Sequence, residues 1–212
     1  MITLEKNKKS RSSVMPYVDG EAYTKYFSGV YDFLTQLSGW RTKIAQHALD
    51  GFVPCKILDV GCGTGYLLSL AQKKNFEISG VDPSSGMLEK AVQKYGLPKE
   101  KLFQSKADHL PFLDKTFDLV IASGSLMYTP NLQETAREMV RVAKIGGCVR
   151  VFDHARPKKK NFFTPFVFLF SQFSGQILHD YEHYFSPYCK LIQQKTLGRG
   201  GYLQKFDFLR EF

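Results

Sequence analysis

The chain has 212 residues, 43% of them hydrophobic and 23% charged, which suits one α/β domain with a sizeable core and excludes both a disordered chain and two full domains. Part of its formal net charge of +9 collects in Lys6, Lys8, Lys9 and Arg11 and again in Arg156, Lys158, Lys159 and Lys160; solvated charge, a nucleic acid and an anionic membrane surface all stay open as its meaning. Cys55, Cys62, Cys148 and Cys189 are scattered, with no CxxC and no His at ligand spacing, which excludes a disulfide framework and a zinc site and implies reduced thiols and no metal.

Residues 1–20 read as a basic arm with no apolar run behind it, so no secretory signal is expected. The longest apolar run, 162–170, is about half of the ~20 residues that a spanning helix needs, and a cytoplasmic protein is the expectation. From residue 21 to 37, Tyr23, Tyr26, Phe27, Val30, Tyr31, Leu34 and Leu37 recur at three- and four-residue steps, the stripe of an amphipathic helix. A second helix over 40–49 is stopped by Gly51 and Pro54. Strands over 56–60, 76–81, 101–105, 117–122 and 148–152 then alternate with helices over 65–74, 84–95 and 131–144. That spacing predicts a parallel sheet wound on both faces, with every loop that follows a strand on one ligand-binding edge. A helix over 186–196 and a strand over 202–209 close the predicted fold.

The first strand runs into Gly61, Cys62, Gly63, Thr64 and Gly65. The spacing is G-x-G-x-G, and Tyr66 stands where a dinucleotide fingerprint needs its third Gly; no Gly-Lys-Ser/Thr follows to make a P-loop. Asp59, two residues before the first Gly, would repel a pyrophosphate and suits a cationic ligand such as an α-ammonium group. Asp82 ends the second strand, 21 residues after Gly61, where an acid can reach ribose hydroxyls. Asp108, after the third strand, could accept from an adenine amino group, and Met87 could pack on the base. Each acid alone reads equally as a helix cap or solvated charge. Three after successive strands favour an adenosine that carries an amino acid.

The segments "ILDVGCGTG" (57–65), "VDPSSGMLEKA" (81–91), "ADHLPFLDKTFDLVIAS" (107–123) and "GGCVRVFD" (146–153) resemble, in order, the motifs of class I S-adenosylmethionine-dependent methyltransferases. The resemblance implies a Rossmann-like, doubly wound, mostly parallel sheet, with S-adenosyl-L-methionine as cofactor and S-adenosyl-L-homocysteine as product. It implies that Asp59, Gly61, Cys62, Gly63 and Gly65 line the methionine part, and that Asp82 holds the ribose with Pro83 and Met87 beside the adenine. Ala107 and Asp108 would address the adenine edge, and Ser123 would face the methionine and the acceptor. Residues 21–212 then form one methyltransferase domain, with lid helices over 21–50 and an insertion over 154–185 that covers the acceptor.

Nucleic-acid N-methyltransferases of this fold carry Asn/Asp-Pro-Pro-Tyr/Phe after the fourth strand, where this chain has Ala122-Ser123-Gly124-Ser125, so a nucleic-acid acceptor is disfavoured. "YFSGVYDFLTQLSGWR" (26–41) is similar to the N-terminal segment of quinone C-methyltransferases and phospholipid N-methyltransferases, which implies that Tyr31 lies near the cofactor. Arg156 to Lys160, followed at once by Phe162, Phe163, Phe166, Phe168 and Phe170, sets cations beside an apolar face suited to a quinone-like or lipid-like acceptor or to peripheral membrane contact over 156–170. A plain core role for these rings stays open. His154, after the fifth strand, is the preferred general base for a phenol, enol or amine, with a backbone-bonded loop histidine as the alternative; Tyr128, His179, Tyr181 and His183 are reserve candidates for the acceptor pocket. A strand at 202–209 read as the sixth leaves no room for a seventh. The expected C-terminal hairpin is therefore incomplete, which would leave an edge open to dimerisation or the protein inactive. A non-catalytic cofactor-binding scaffold is the second reading of function, and an NAD-dependent enzyme a distant third.

Overall fold

A computed structural model describes residues 44–45, 47–155, 177–197 and 203–212. The basic arm, Tyr31, most of the expected lid helices and the aromatic run of 156–170 lie outside the described residues. One sheet organises the rest: β1 (Lys56–Val60), β2 (Glu77–Asp82), β3 (Leu102–Gln104), β4 (Phe117–Ser123), β5 (Ala143–His154), β6 (Lys190–Thr196) and β7 (Leu203–Leu209), in the order β3-β2-β1-β4-β5-β7-β6. The five strands from β3 to β5 are parallel, and β7 inserts antiparallel between β5 and β6. Helices α1 (Tyr66–Lys73), α2 (Ser85–Tyr95) and α3 (Leu132–Val142) are the crossovers, and the short α4 (Tyr181–Phe185) precedes β6.

β1 and β4 are nearly continuous apolar runs because both of their faces are covered. Leu58, Val60, Val120, Val149 and Val151 pack into one core layer with α3 and α4. Ile57, Leu119, Ile121 and Cys148 pack into the other, with α1, α2 and the helical residues Ile44, Ala45 and Ala48. α2 starts where the Ser84 hydroxyl accepts the Met87 N–H at 3.3 Å and stops at Gly96, whose φ of 64° is the left-handed C-cap conformation.

Three expectations need correction. α3 ends at Val142 rather than 144, and β5 begins at Ala143 rather than 148. Arg210 Nη1 donates to the carbonyls of Val140, Arg141 and Ala143 at 2.6–2.7 Å, taking up the helix's last acceptors and turning the chain into the sheet. The helix expected over 186–196 is the edge strand β6. A register shift between Leu191 and Gln193 breaks the alternation that marks a strand. The strand over 202–209 is then the seventh and not the sixth, so the C-terminal hairpin is complete. Dimerisation or inactivity argued from an unsupported sixth strand loses its premise; the strand at that edge, β6, carries Lys190, Gln193 and Lys195.

Candidate active site

The sheet register brings the predicted loops to one edge. Val60 lies opposite Val81 on one side and Ala122 on the other, and Ser123 lies opposite Phe152. Gly61, Asp82 and Ser123 thus emerge at one level, with Asp153 and His154 just beyond. The turn after β1 is fixed by two amides, those of Gly61 and Cys62, which both donate to the Val81 carbonyl at 2.8 and 2.9 Å.

Its three glycines have positive φ, yet each is bare for a different reason. A Cβ at Gly61 would lie 2.4 Å from Cβ of Ser125, whose hydroxyl donates to the Val60 carbonyl at 2.8 Å. A Cβ at Gly65 would meet Leu97 at 2.5 Å and Ala91 at 2.9 Å, so this glycine lets α1 lie against α2. At Gly63 nothing stands within 4 Å, and the backbone alone borders open space. The Cys62 thiol is buried and would sit 2.9 Å from a Cβ at Gly80, so at that position the peptide, not the sulfur, is what the turn can offer a ligand.

Two carboxylates stand beneath this turn. Asp82 Oδ2 accepts the Gly63 N–H at 2.8 Å and Oδ1 accepts the Ser84 N–H at 2.9 Å. Burial raises its pKa above the usual carboxylate range against these two bonds. Asp59 is 2% exposed, and its Oδ1 has no hydrogen-bond partner. Burial first and the neighbouring Asp82 second push its carboxyl up to about 7. Neither acid has an ion-pair partner among the described residues.

The other predicted residues occupy the same edge at greater distance from the turn. Pro83 is exposed and Met87 half-buried at the start of α2. Ala107 and Asp108 are half-buried in the turn after β3, next to Asp82 by way of the Ser105 N–H, which donates to the Asp82 carbonyl at 3.3 Å. The loop beyond is held to α3, since Glu138 Oε2 accepts the Leu110 N–H at 2.9 Å and Arg141 donates to the carbonyls of Leu110 and Phe112 at 3.0 and 2.8 Å. Ser123 is half-buried at the end of β4, and His154 half-buried at the end of β5 with Leu203 of β7 opposite it. Of the reserve residues, Tyr128 is half-buried and His183 exposed. Tyr181 is fully buried against Phe206, 5.5 Å between centroids, and is a core residue rather than one facing an acceptor; His179 is 8% exposed and packs edge-on to Tyr184.

Comparison with known proteins agrees with this geometry. A methyltransferase-domain family matches residues 58–151. Demethylmenaquinone methyltransferase from Chlorobaculum tepidum is 34% identical over 160 residues, 71% of this chain and 63% of that protein. 2-Methyl-6-phytyl-1,4-hydroquinone methyltransferase 1 from Oryza sativa subsp. japonica is 31% identical over 141 residues, 64% of this chain and 43% of that one. The chain belongs to the class I S-adenosylmethionine-dependent methyltransferases. Both alignments span less than two thirds of these relatives' lengths. A solved Pyrococcus horikoshii OT3 protein shares the fold at 20% identity, with a TM-score of 0.64 over 84% of this chain and 91% of that one.

The cofactor of this methyltransferase family fits the residues present. Asp59 Oδ1 is a buried acceptor still without a donor, and an ammonium group would satisfy it and hold its charge. The open space in front of Gly63 admits a ligand against the backbone.

Sequence reasoning missed two residues that shape the methyltransferase edge. Ser125, in the turn after β4, fills the space above Gly61. Asp153, fully buried, accepts the Met127 N–H at 3.1 Å and the His154 N–H at 2.7 Å, tying the turn after β4 to the end of β5. Burial pushes the Asp153 carboxyl up to about 7 against those bonds. Only the acid at the end of a buried strand hints at Asp153 in the sequence; Ser125 leaves no local signal.

Proposed function

We propose that the protein transfers a methyl group from S-adenosyl-L-methionine to a small amphipathic acceptor of quinone-like or lipid-like type. The observation that carries this reading is the buried, unsatisfied Asp59 oxygen beneath the open Gly63 turn, on one edge with Asp82. In this reading Asp59 and the backbone of 61–63 bind the amino-acid end of the donor, and Asp82 holds the ribose. Pro83, Met87, Ala107 and Asp108 take the adenine, with Tyr31 nearby, and Ser123 borders donor and acceptor.

The donor supplies a methyl carbon already activated by the sulfonium. What this chain contributes is in-line placement and exclusion of water. His154 accepts the proton that a phenol, enol or amine acceptor must lose. The activities named for the relatives, on a demethylmenaquinone and a phytyl hydroquinone, support a ring acceptor with a long apolar chain. No helix among the described residues is long and apolar enough to cross a membrane. Peripheral contact through 156–170, on the cytoplasmic side, is part of the proposal, and salt-sensitive flotation with anionic liposomes is its check.

The experiment is calorimetry with S-adenosyl-L-homocysteine, followed by labelled-methyl transfer to a panel of demethylated quinols and amino-headgroup lipids. Micromolar binding with transfer to a quinol is expected. No heat with S-adenosyl-L-homocysteine overturns the whole reading, whereas binding without transfer leaves the fold as a scaffold. His154→Ala is expected to lower kcat by about 10²–10⁴ with cofactor affinity unchanged, and unaltered turnover removes His154 from the role.

A further inference from the structure

Away from the carboxyl edge, the sheet face shared with α1 carries a second concavity. The stretch His47–Gly51 and the β6–β7 hairpin enclose an open cleft of about 340 Å³, lined by His47, Asp50, Arg150, Gln193, Lys195 and Lys205.

Its charges do not balance. Arg150 and Lys205 are both buried and share one carboxylate, Asp207: Arg150 Nε and Nη2 donate to it at 2.6 and 2.9 Å, and Lys205 Nζ lies 2.9 Å from Oδ2. Among the described residues, two buried cations against one buried anion leave one positive charge. Arg150 is otherwise occupied, since its Nη1 donates to the carbonyls of His47, Ala48 and Asp50 at 3.3, 3.0 and 2.8 Å, capping the end of that helical stretch. Lys205 is not. Its side chain is 10% exposed and has three N–H donors, of which Asp207 takes one; the other two have no partner among the described residues.

Lys195 sits directly opposite Lys205 in the antiparallel ladder, so the two ammonium groups lie on one face, and like charges in that position are unfavourable. The carboxylate at the rim, Asp50, is engaged by His47 Nδ1 at 2.8 Å. A buried lysine with spare donors and a facing lysine thus border the same space, with the amide of Gln193 beside them.

We propose that this cleft binds a phosphate group between Lys195 and Lys205, at a site separate from the donor's. A bridging oxyanion accepts the spare donors of Lys205, turns the Lys195–Lys205 repulsion into two attractions and neutralises the excess buried charge. The group could come as free phosphate or as the headgroup of an anionic lipid, and the two sources are separable.

The test is thermal denaturation of the full chain with sodium phosphate titrated against sodium chloride at matched ionic strength; the second arm is the excess of flotation on phosphatidic-acid vesicles over phosphatidylserine vesicles, which subtracts general anionic-surface contact through 156–170. Wild type is expected to show a saturable rise in Tm with phosphate, or saturable vesicle binding, and Lys195→Ala to lose it. Lys195 lies exposed on the edge strand, so this variant keeps its fold. Lys205→Met is expected to lose the response as well. A response to free phosphate assigns the free ion, and a response to vesicles alone assigns the lipid headgroup. Affinity for S-adenosyl-L-homocysteine is expected to stay within about twofold in Lys195→Ala, a range set by the distance from the carboxyl edge. Absence of a saturable response in both arms overturns the proposal. So does a response that Lys195→Ala retains, or a large loss of cofactor affinity in that variant.

Discussion

At the β1–β2 end of the sheet, Asp59 and Asp82 lie buried with no cation paired to either among the described residues, while at the β5–β7 end one buried carboxylate, Asp207, serves two buried cations. The first region holds surplus negative charge beneath an open glycine turn. The second holds surplus positive charge beside an open cleft. Buried charge without a counter-charge is costly, and among the described residues this sheet keeps it at two places, with opposite sign. The difference also shows in how each region spends its hydrogen bonds. Asp82 is fastened by backbone amides, which fix it without neutralising it. Asp207 is fastened by side-chain cations, which do both.

Removing Asp207 should give the largest effect. Asp207→Ala leaves Arg150 and Lys205 buried together and should cost about 3–5 kcal/mol of stability in urea unfolding, and a loss under 1 kcal/mol would mean that the two cations are not held against one another. Asp59→Asn should do the reverse for the free protein. It removes an unpaired buried carboxyl, so Tm should hold or rise, while affinity for S-adenosyl-L-homocysteine falls by about 2 kcal/mol, roughly thirtyfold. A variant that lost stability and kept affinity would reverse the roles assigned to this region.

The glycines sharpen the comparison inside the turn. Gly63→Ala should cost about 1 kcal/mol of stability from its positive φ and should weaken cofactor binding through the methyl group placed in the open space. Gly61→Ala drives a Cβ into Ser125 and should cost about 1–3 kcal/mol in overpacking besides its own strain. Paired denaturation and calorimetry on the two variants separate the roles.

The remaining effect is on pH. The folded-state pKa of Asp59, about 7, lies above the ordinary carboxylate value, so the folded chain without cofactor keeps a proton that the unfolded chain has lost. Stability from this group is therefore full below the ordinary carboxylate range, falls as pH rises towards 7 and is gone above it. A cationic ligand needs the ionised form, so affinity for S-adenosyl-L-homocysteine should rise about tenfold from pH 6 to pH 8, with proton release on binding. Asp153, also near 7, adds to the stability slope. Asp59→Asn should abolish the affinity slope and leave the Asp153 part of the stability slope in place.

The donor half of the fold was legible because its strands are buried on both faces. Ile57 to Val60 and Leu119 to Ala122 are nearly unbroken apolar runs that no other element explains. The turn at 61–65 was legible as glycine, but not as three glycines with three different neighbours, because Ser125 and Leu97 reach it from distant parts of the chain. The β6 region was misread because one of its sides has no strand partner and its register shifts at Leu191, so the period-2 signal never forms. Asp207 and Lys205 read as ordinary strand charges; only their register opposite Arg150 and Lys195 makes them a cluster.

Ala155 is bridged in parallel to His179, and the Ile177 N–H donates to the Met127 carbonyl at 2.9 Å. The described residues on either side of 156–176 are thus held to one another and to the turn after β4. A connection closed in this way can be exchanged for a longer or shorter one at a cost of roughly 0.6 kcal/mol per doubling of its length. On the proposal that this connection covers the acceptor, transplanting the equivalent segment from a related chain should redirect substrate choice and leave S-adenosyl-L-homocysteine affinity unchanged. Kinship in this region of the fold would be measured by interchangeable parts, not by residue identity.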